Sequence, residues 1–451
     1  MLLQAISTAT NTLCSQAHGA KNHDLVGAWL HVGIALSSVM AFLVAAAWAV
    51  TGLALSAAGF DAHEAILAGR FAQWSIVGVW PFLVYPVVTA WLQAQGIVFP
   101  MVFTNAAVLL VNVALNFLLI FGVGSWGGLG FDGSAIATAI SRWLLLLVVC
   151  AYVLWRGIHK KTLPHGIQFK YLTDGMLWHE FFVKQSLPRF LGRAAEEWQL
   201  QLVALFAAQL GTVSLATHTA LLDLFYFATS ALYGLTNSTS VRIGHHLGAG
   251  DVRSAQMVAK LNLAVCMTVA VAVASVFCGA HSVIGYLFSK DPRVVAKTAE
   301  LAWFVGGGYV FLCLFYTSMA VVAGFGRPRI IAIAFLVGAW CVCIPLGYVL
   351  SHTLGLGLVG LWTGLVVGYS VVTAIIVTNV LRTDWDDVSA EAVIRSKQSE
   401  AVQGGAGTAL LSGTRDHEQP KGSISQCASS DLSNEGPSLN SKESEALFNQ
   451  I

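Results

Sequence analysis

Pro188-Arg-Phe-Leu-Gly-Arg-Ala-Ala-Glu196-Glu197-Trp198-Gln199-Leu-Gln201-Leu-Val-Ala-Leu-Phe-Ala-Ala-Gln-Leu-Gly211 places two carboxylates, with the amides of Gln199 and Gln201 close behind them, inside a largely apolar run of helical length. In hydrocarbon an ionisable side chain is costly, so it faces a partner or a water-filled cavity and marks a functional site. At about 100° per residue, Glu196 and Gln199 share one helix face, and Glu197 and Gln201 share a neighbouring one. The polar arc then covers about half the circumference, more than lipid can accept, and the helix is expected to line a cavity.

The rest of the chain supports a membrane setting. Of 451 residues, 56% are hydrophobic and only 10% are charged, too apolar for one soluble core. The net charge of +1 gives no basic field for nucleic acid. Six of the eight cysteines lie in apolar runs and none has zinc spacing, so they read as buried thiols. Apolar runs of about twenty residues predict spans near 25–58, 71–95, 100–122, 133–155, 187–211, 214–241, 257–288, 298–325, 328–352 and 357–381. Met1 to Asn11 reads as half a helix, too short to cross a bilayer.

Loop charge sets the orientation. Arg156 to Arg193 carries Lys160, Lys161, Lys170 and Lys184, which places it in the cytoplasm. Alternation puts Lys21, Arg242, Arg253, Arg327 and Arg329 on that same side. Residues 170–184 read either as an amphipathic helix on the inner surface or as a plain connector. From Asp384 the composition turns to Ser, Glu, Gly, Lys and Asn, the signature of a disordered cytoplasmic tail. The divisions are 1–156, a connector at 157–186, 187–383 and a tail at 384–451. Gly128-x-Gly130-x-x-Gly133 matches a dinucleotide fingerprint, but it sits in an outer loop with no strand before it and reads as a turn.

Sliding the chain on itself gives a repeat at about 229 residues. Gly19-Ala20 matches Gly248-Ala249, Asn116 falls opposite Pro345, and Gly130-x-x-Gly133 opposite Gly357-x-x-Gly360. Two parallel six-helix halves follow, related by a pseudo-two-fold axis along the membrane normal. Projecting 187–241 back by the same offset leaves the first helix and part of the second without a counterpart in this chain.

Four stretches carry a family resemblance. Asn11-Thr-Leu-Cys-Ser-Gln-Ala-His-Gly-Ala20 resembles the signature after the second helix of the multidrug and toxic compound extrusion (MATE) family. Leu92-Gln-Ala-Gln-Gly-Ile-Val-Phe-Pro100 resembles its fourth-to-fifth helix junction, and Gly130-Phe-Asp-Gly-Ser-Ala135 the start of its sixth helix. Ser240-Val-Arg-Ile-Gly-His-His-Leu-Gly-Ala-Gly250 is similar to its Ser-x-Arg-x-Gly/Ser-Asn-x-Leu-Gly-Ala-Gly run. The resemblance implies an all-α polytopic protein with two six-helix lobes and a central cavity that faces each side in turn. It also implies export of amphiphilic organic cations in exchange for protons or sodium. Eukaryotic members carry Glu-Trp-Trp-x-x-Glu in helix seven; here those positions are Glu196, Glu197, Trp198 and, for the second Glu, Gln201. Asp223 falls where an acid is frequent in helix eight, while Tyr309 and Leu312 replace the His and Glu that animal members place in helix ten.

Burial raises a carboxylate's pKa and a cationic substrate favours its ionised form, so one site can exchange a proton for a cation. Glu196, Glu197 and Asp223 are the candidate proton and cation sites; for Glu196 the plain alternative is a structural pair with Arg193. Trp198, Gln201, His218, Tyr226, Tyr309 and Tyr316 are candidate cavity residues, the aromatics offering faces for a cation. The expected protein is an antiporter for organic cations and xenobiotics, not an enzyme, with no metal and no cofactor beyond the coupling ion, H+ or alternatively Na+. Its partners are the lipid bilayer and a small organic cation, no oligomer is required, and the membrane is the plasma membrane or that of a vacuole or other organelle. The alternatives are a truncated, transport-incompetent isoform or regulatory paralogue, and a lipid-linked sugar flippase of the same superfamily.

Overall fold

Helices α1 (Leu2–Gly19), α2 (His23–Ala49) and α3 (Thr51–Ala57) open the chain. The computed structural model describes residues 1–403 except 165, 167 and 169. α1 is longer than the half-helix expected at 1–11. Its polar run does not end it, because neighbours satisfy those side chains: Thr12 Oγ1 donates to the Ala323 carbonyl at 3.0 Å and Gln16 Nε2 to that of Gly324 at 2.9 Å. The run 25–58 is not one tilted helix. It breaks at Val50, and Gly52 of α3 lies against Gly69 of α4 (Ala62–Ile76), where an added Cβ would come 3.3 Å from the Gly69 Cα.

The apolar run at 71–95 also begins earlier, in α4, which Asp61 caps by accepting from the His63 amide. α4 meets α5 (Val79–Ala94) at a bend of 47°. The reason lies at Gly78, where a Cβ would stand 2.9 Å from the Ala139 Cα. α6 (Phe99–Phe121) and α7 (Phe131–Trp155) match their apolar runs, and the link between them turns on Gly122, Gly128 and Gly130, all at positive φ. Of the fingerprint-like glycines, Gly128 and Gly130 therefore form a turn and Gly133 lies in the first turn of α7.

The segment at 170–184 is helical in short pieces and about half exposed, with only Leu177 and Phe181 buried. Its last part winds wide from His179 to Ser186 and runs unbroken into α8 (Leu187–Gln209). Phe181 is fully buried and stacks on Trp29 of α2 with ring centroids 6.1 Å apart. α9 (Thr212–Gly248) has 37 residues, about 55 Å, so it projects beyond the hydrocarbon at its basic end. α10 (Val252–Gly279) stops short of the expected 288, and α11 (Pro292–Phe325) follows. α12 (Arg329–Thr353) contains two wide turns; the ring of Pro345 removes a donor and crowds the turn before it, which widens the first.

α13 (Gly357–Arg382) packs on α12 through small residues. A Cβ on Gly364 would come 2.5 Å from the Gly347 Cα, and one on Gly360 2.6 Å from the Leu350 carbonyl carbon. In hydrocarbon such close backbone packing replaces the hydrophobic drive. Gly364→Leu is therefore expected to destabilise the chain by at least about 1–3 kcal/mol, read as an earlier loss of monodispersity on heating in detergent. An unchanged melting profile would remove this account of the α12–α13 contact.

Among the described residues seven helices are long and apolar enough to cross a membrane, or eight with α4 and α5 taken together. α1 to α7 pack mainly on one another, as do α8 to α13, and α1 against α9 forms the principal seam between the two groups. The basic helix ends meet at one pole of that seam, as the loop charges require. The expected tail at 384–451 needs correction at its start: Trp385–Gln403 is a helix, α14, because Trp385, Val388 and Ala392 give it an apolar stripe buried on α9 and α11. Residues 404–451 lie outside the described residues.

Candidate functional site

α8 buries Pro188, Gly192, Glu196, Gln199, Val203 and Ala207, one stripe at spacings of three and four. Gly192 lets α12 approach, with a would-be Cβ 3.3 Å from the Ala332 Cα. One turn on, Glu196 is the only charged residue, among the described residues, in the lining of a cavity of about 60 Å³ between α8, α9, α11 and α13. Its walls include Leu200, Phe225, Tyr226, Phe311, Tyr316, Trp362 and Tyr369. That volume suits a few waters rather than a drug-sized molecule.

Arg193 holds the carboxylates from one turn back. Its Nη1 donates to Glu196 Oε2 at 2.7 Å and to the Tyr233 hydroxyl at 3.2 Å, and its Nη2 pairs with Glu197 Oε1 at 2.5 Å. Tyr369 donates to Glu196 Oε1 at 3.3 Å. One guanidinium is thus shared by two carboxylates, and with all three ionised the group carries one net negative charge. The plain reading of Glu196 as Arg193's partner is therefore correct in geometry, and it leaves a charge unmatched.

The cavity brings together Glu196, Tyr226 and Tyr316 of the residues singled out from the sequence. Glu197 shares Arg193 but stays outside the lining. Trp198 is 56% exposed and Gln201 is also exposed, so the polar arc of α8 does not face one cavity. It divides into a buried stripe and an open one, because α9, α12 and α13 cover only one side of the helix. Gln199 goes inward instead, where its Nε2 donates to Cys343 Sγ at 2.9 Å. Tyr309 does not line the cavity either; it is fully buried and its hydroxyl donates to the Ala228 carbonyl at 2.9 Å. His218 is buried behind the wall, edge-on to Trp362 at 5.8 Å, with no hydrogen bond to either ring nitrogen among the described residues. Asp223 is exposed on α9 and makes no ion pair among the described residues. Sequence reasoning missed Tyr233 and Tyr369. The signal for Tyr369 is its place beside Gly368 at the end of the Gly360, Gly364, Gly368 row that seats α13 on α12.

A sequence profile of the MatE family matches residues 1–118 and 188–349. Multidrug and toxin extrusion protein 1 of Mus musculus is 26% identical over 391 residues, covering 87% of this chain and 67% of that protein. Protein DETOXIFICATION 36 of Arabidopsis thaliana is 28% identical over 406 residues, with 88% and 78% covered. The chain spans 62% of the human multidrug and toxin extrusion protein 1, with which it is 28% identical. The crystal structure of the eukaryotic MATE transporter AtDTX14 matches with a TM-score of 0.77 at 27% identity, over 88% of this chain and 87% of that one. A structure of MATE in the bent conformation shares the fold at 16% identity and the same TM-score. With the family profile covering most of the chain and its helices superposing on a eukaryotic relative, the protein belongs to the MatE family, as a multi-pass membrane transporter and not an enzyme.

Proposed function

We propose that the chain is a secondary antiporter that exports organic cations and xenobiotics in exchange for protons by alternating access, with Glu196 as the exchange site. The observation that carries this reading is the single Arg193 shared between Glu196 and Glu197 beside an aromatic cavity. A proton neutralises the group from one side of the membrane, and an organic cation resting on Tyr226, Tyr316 and Trp362 replaces it from the other. The names of the relatives, multidrug and toxin extrusion protein 1 and DETOXIFICATION 36, support the xenobiotic part of this reading. A flippase for a pyrophosphate-linked sugar would want cations in the wall, and the one guanidinium nearby is already outnumbered by carboxylates.

The two helix groups act in this scheme as parallel repeats about an axis along the membrane normal. Support comes from Gly19 and Gly248, matched by the repeat and packed in the same seam. A Cβ on Gly19 would stand 2.8 Å from the His245 carbonyl carbon, and one on Gly248 2.8 Å from that of Gln16.

The test is uptake of a fluorescent organic cation into vesicles, driven by a proton gradient. Glu196→Gln should fall to background, since an amide cannot exchange a proton for a cation. Glu196→Asp should keep part of the rate. Transport by the Gln variant at the unaltered rate would dismiss Glu196 as the site, and no gradient-driven uptake by the unaltered chain would dismiss the antiport reading.

A further inference from the structure

At the basic pole α14 lies across the seam between the two helix groups. On one side it is anchored by apolar burial. Trp385 stands edge-on to Phe325 at 4.8 Å, and Val388 and Ala392 are buried with Ile243, Leu247 and Val321. Polar bonds add to this: Ser389 Oγ donates to the Leu247 carbonyl at 3.0 Å, and Arg327 forks onto Glu391 at 2.7 and 3.2 Å.

Towards α1 and α2 the contacts are of another kind. Arg395 Nη1 donates to Gln16 Oε1 of α1 at 2.6 Å, and its Nε pairs with Glu180 at 3.0 Å. Asn22 Nδ2 donates to the Ser396 carbonyl at 2.8 Å. These ties are polar and few, and none buries a large apolar surface. The same Gln16 reaches across the seam to the Gly324 carbonyl, so Arg395 grips a residue that itself joins the two groups. Beside it, Arg189 is buried with bonds to Gln185 and to Thr12 Oγ1, but no ion pair among the described residues. The positive charges of Arg189 and Arg395 oppose each other there, which keeps the closed arrangement from being locked.

We propose that α14 is a latch on the basic pole: it stays docked on α9 and α11, and it holds the pole closed through Arg395 and Ser396, releasing only those ties when the pole opens. The asymmetry of the two sides is the physical basis. Separating the apolar stripe would expose Val388 and Ala392, whereas the half-buried Arg395–Glu180 pair regains its hydration when water reaches it and so separates at a smaller net cost. The positive-inside rule makes this the cytoplasmic pole, so the latch would set how readily the cavity opens towards the cell interior. The proposal rests on the alternating-access reading, but its test need not measure transport.

Hydrogen–deuterium exchange of the full chain in lipid nanodiscs reads local opening directly. Arg395→Ala and Glu180→Gln should each speed exchange in 12–19 and 239–248 by roughly threefold to tenfold, with the double variant no faster than the faster single one. Exchange in 131–155, away from the seam, should be unchanged, and Arg395→Lys should restore most of the protection. Unaltered seam exchange in Arg395→Ala would overturn the latch, and so would equal acceleration along the whole chain, which would make α14 a general stabilising element. If Glu196→Gln abolishes uptake while seam exchange ignores Arg395, the transport reading survives and the latch alone fails.

Discussion

Arg193→Met is expected to give a chain that unfolds at a clearly lower temperature and carries no cation. Glu196 and Glu197 both depend on that guanidinium, and Glu196 is the more deeply enclosed, its side chain 8% exposed. Removing one partner of a buried pair leaves an uncompensated charge, which typically costs about 3–5 kcal/mol. The loss exceeds that of Glu196→Gln, because the amide leaves Arg193 still paired with Glu197. A triple variant, Arg193→Met with Glu196→Gln and Glu197→Gln, should recover most of the stability while remaining inactive, since no charge is then orphaned. Thermal unfolding in detergent, followed by tryptophan fluorescence, separates the three chains. Equal melting temperatures for the unaltered chain and Arg193→Met would show that Arg193 does not compensate the carboxylates.

Gly248→Leu should hold the basic pole open. α1 and α9 meet backbone to backbone there, and a Cβ at 248 would stand 2.8 Å from the Gln16 carbonyl carbon and 3.0 Å from its Cα. Backbone cannot rotate aside as a side chain does, so the helices must separate, at a cost of at least about 1–3 kcal/mol. Asn11 offers the readout: it is 3% exposed and donates to Asn237 Oδ1 across the seam at 2.6 Å. In an Asn11→Cys background, the introduced thiol should be labelled slowly by a membrane-impermeant maleimide. Adding Gly248→Leu should make labelling fast, as scored at residue 11 by fragment-ion sequencing, which separates it from Cys14. Equal labelling in both backgrounds would mean that the seam closes without this glycine.

The legible part of the site was Glu196. Its carboxylate stood out because an acid in an apolar run of helical length needs a reason, and helical spacing put Gln199 on the same face. Trp198 and Gln201 misled for the same cause. Periodicity says which side chains share a face, but not which face a neighbouring helix covers. His218 and Tyr309 were drawn to the cavity by residue type, and each is instead buried behind it, Tyr309 satisfied by a backbone carbonyl. The end of α1 is not legible locally, because polar side chains read as a helix terminus, whereas Thr12 and Gln16 find carbonyls more than 300 residues away.

The sequence by itself determined the membrane class, the order and approximate bounds of most spans, the common side of the basic loops and the place of Glu196. These are local properties: hydropathy, charge and helical period are written in consecutive residues. Only the tertiary structure decided which half of the α8 polar arc is enclosed, that Tyr369 reaches Glu196 from 173 residues away, and that a segment of tail-like composition folds as α14. Those outcomes depend on partners distant in the chain, and a helix in hydrocarbon selects its neighbours by shape and by unsatisfied polar groups rather than by apolarity, which every span shares.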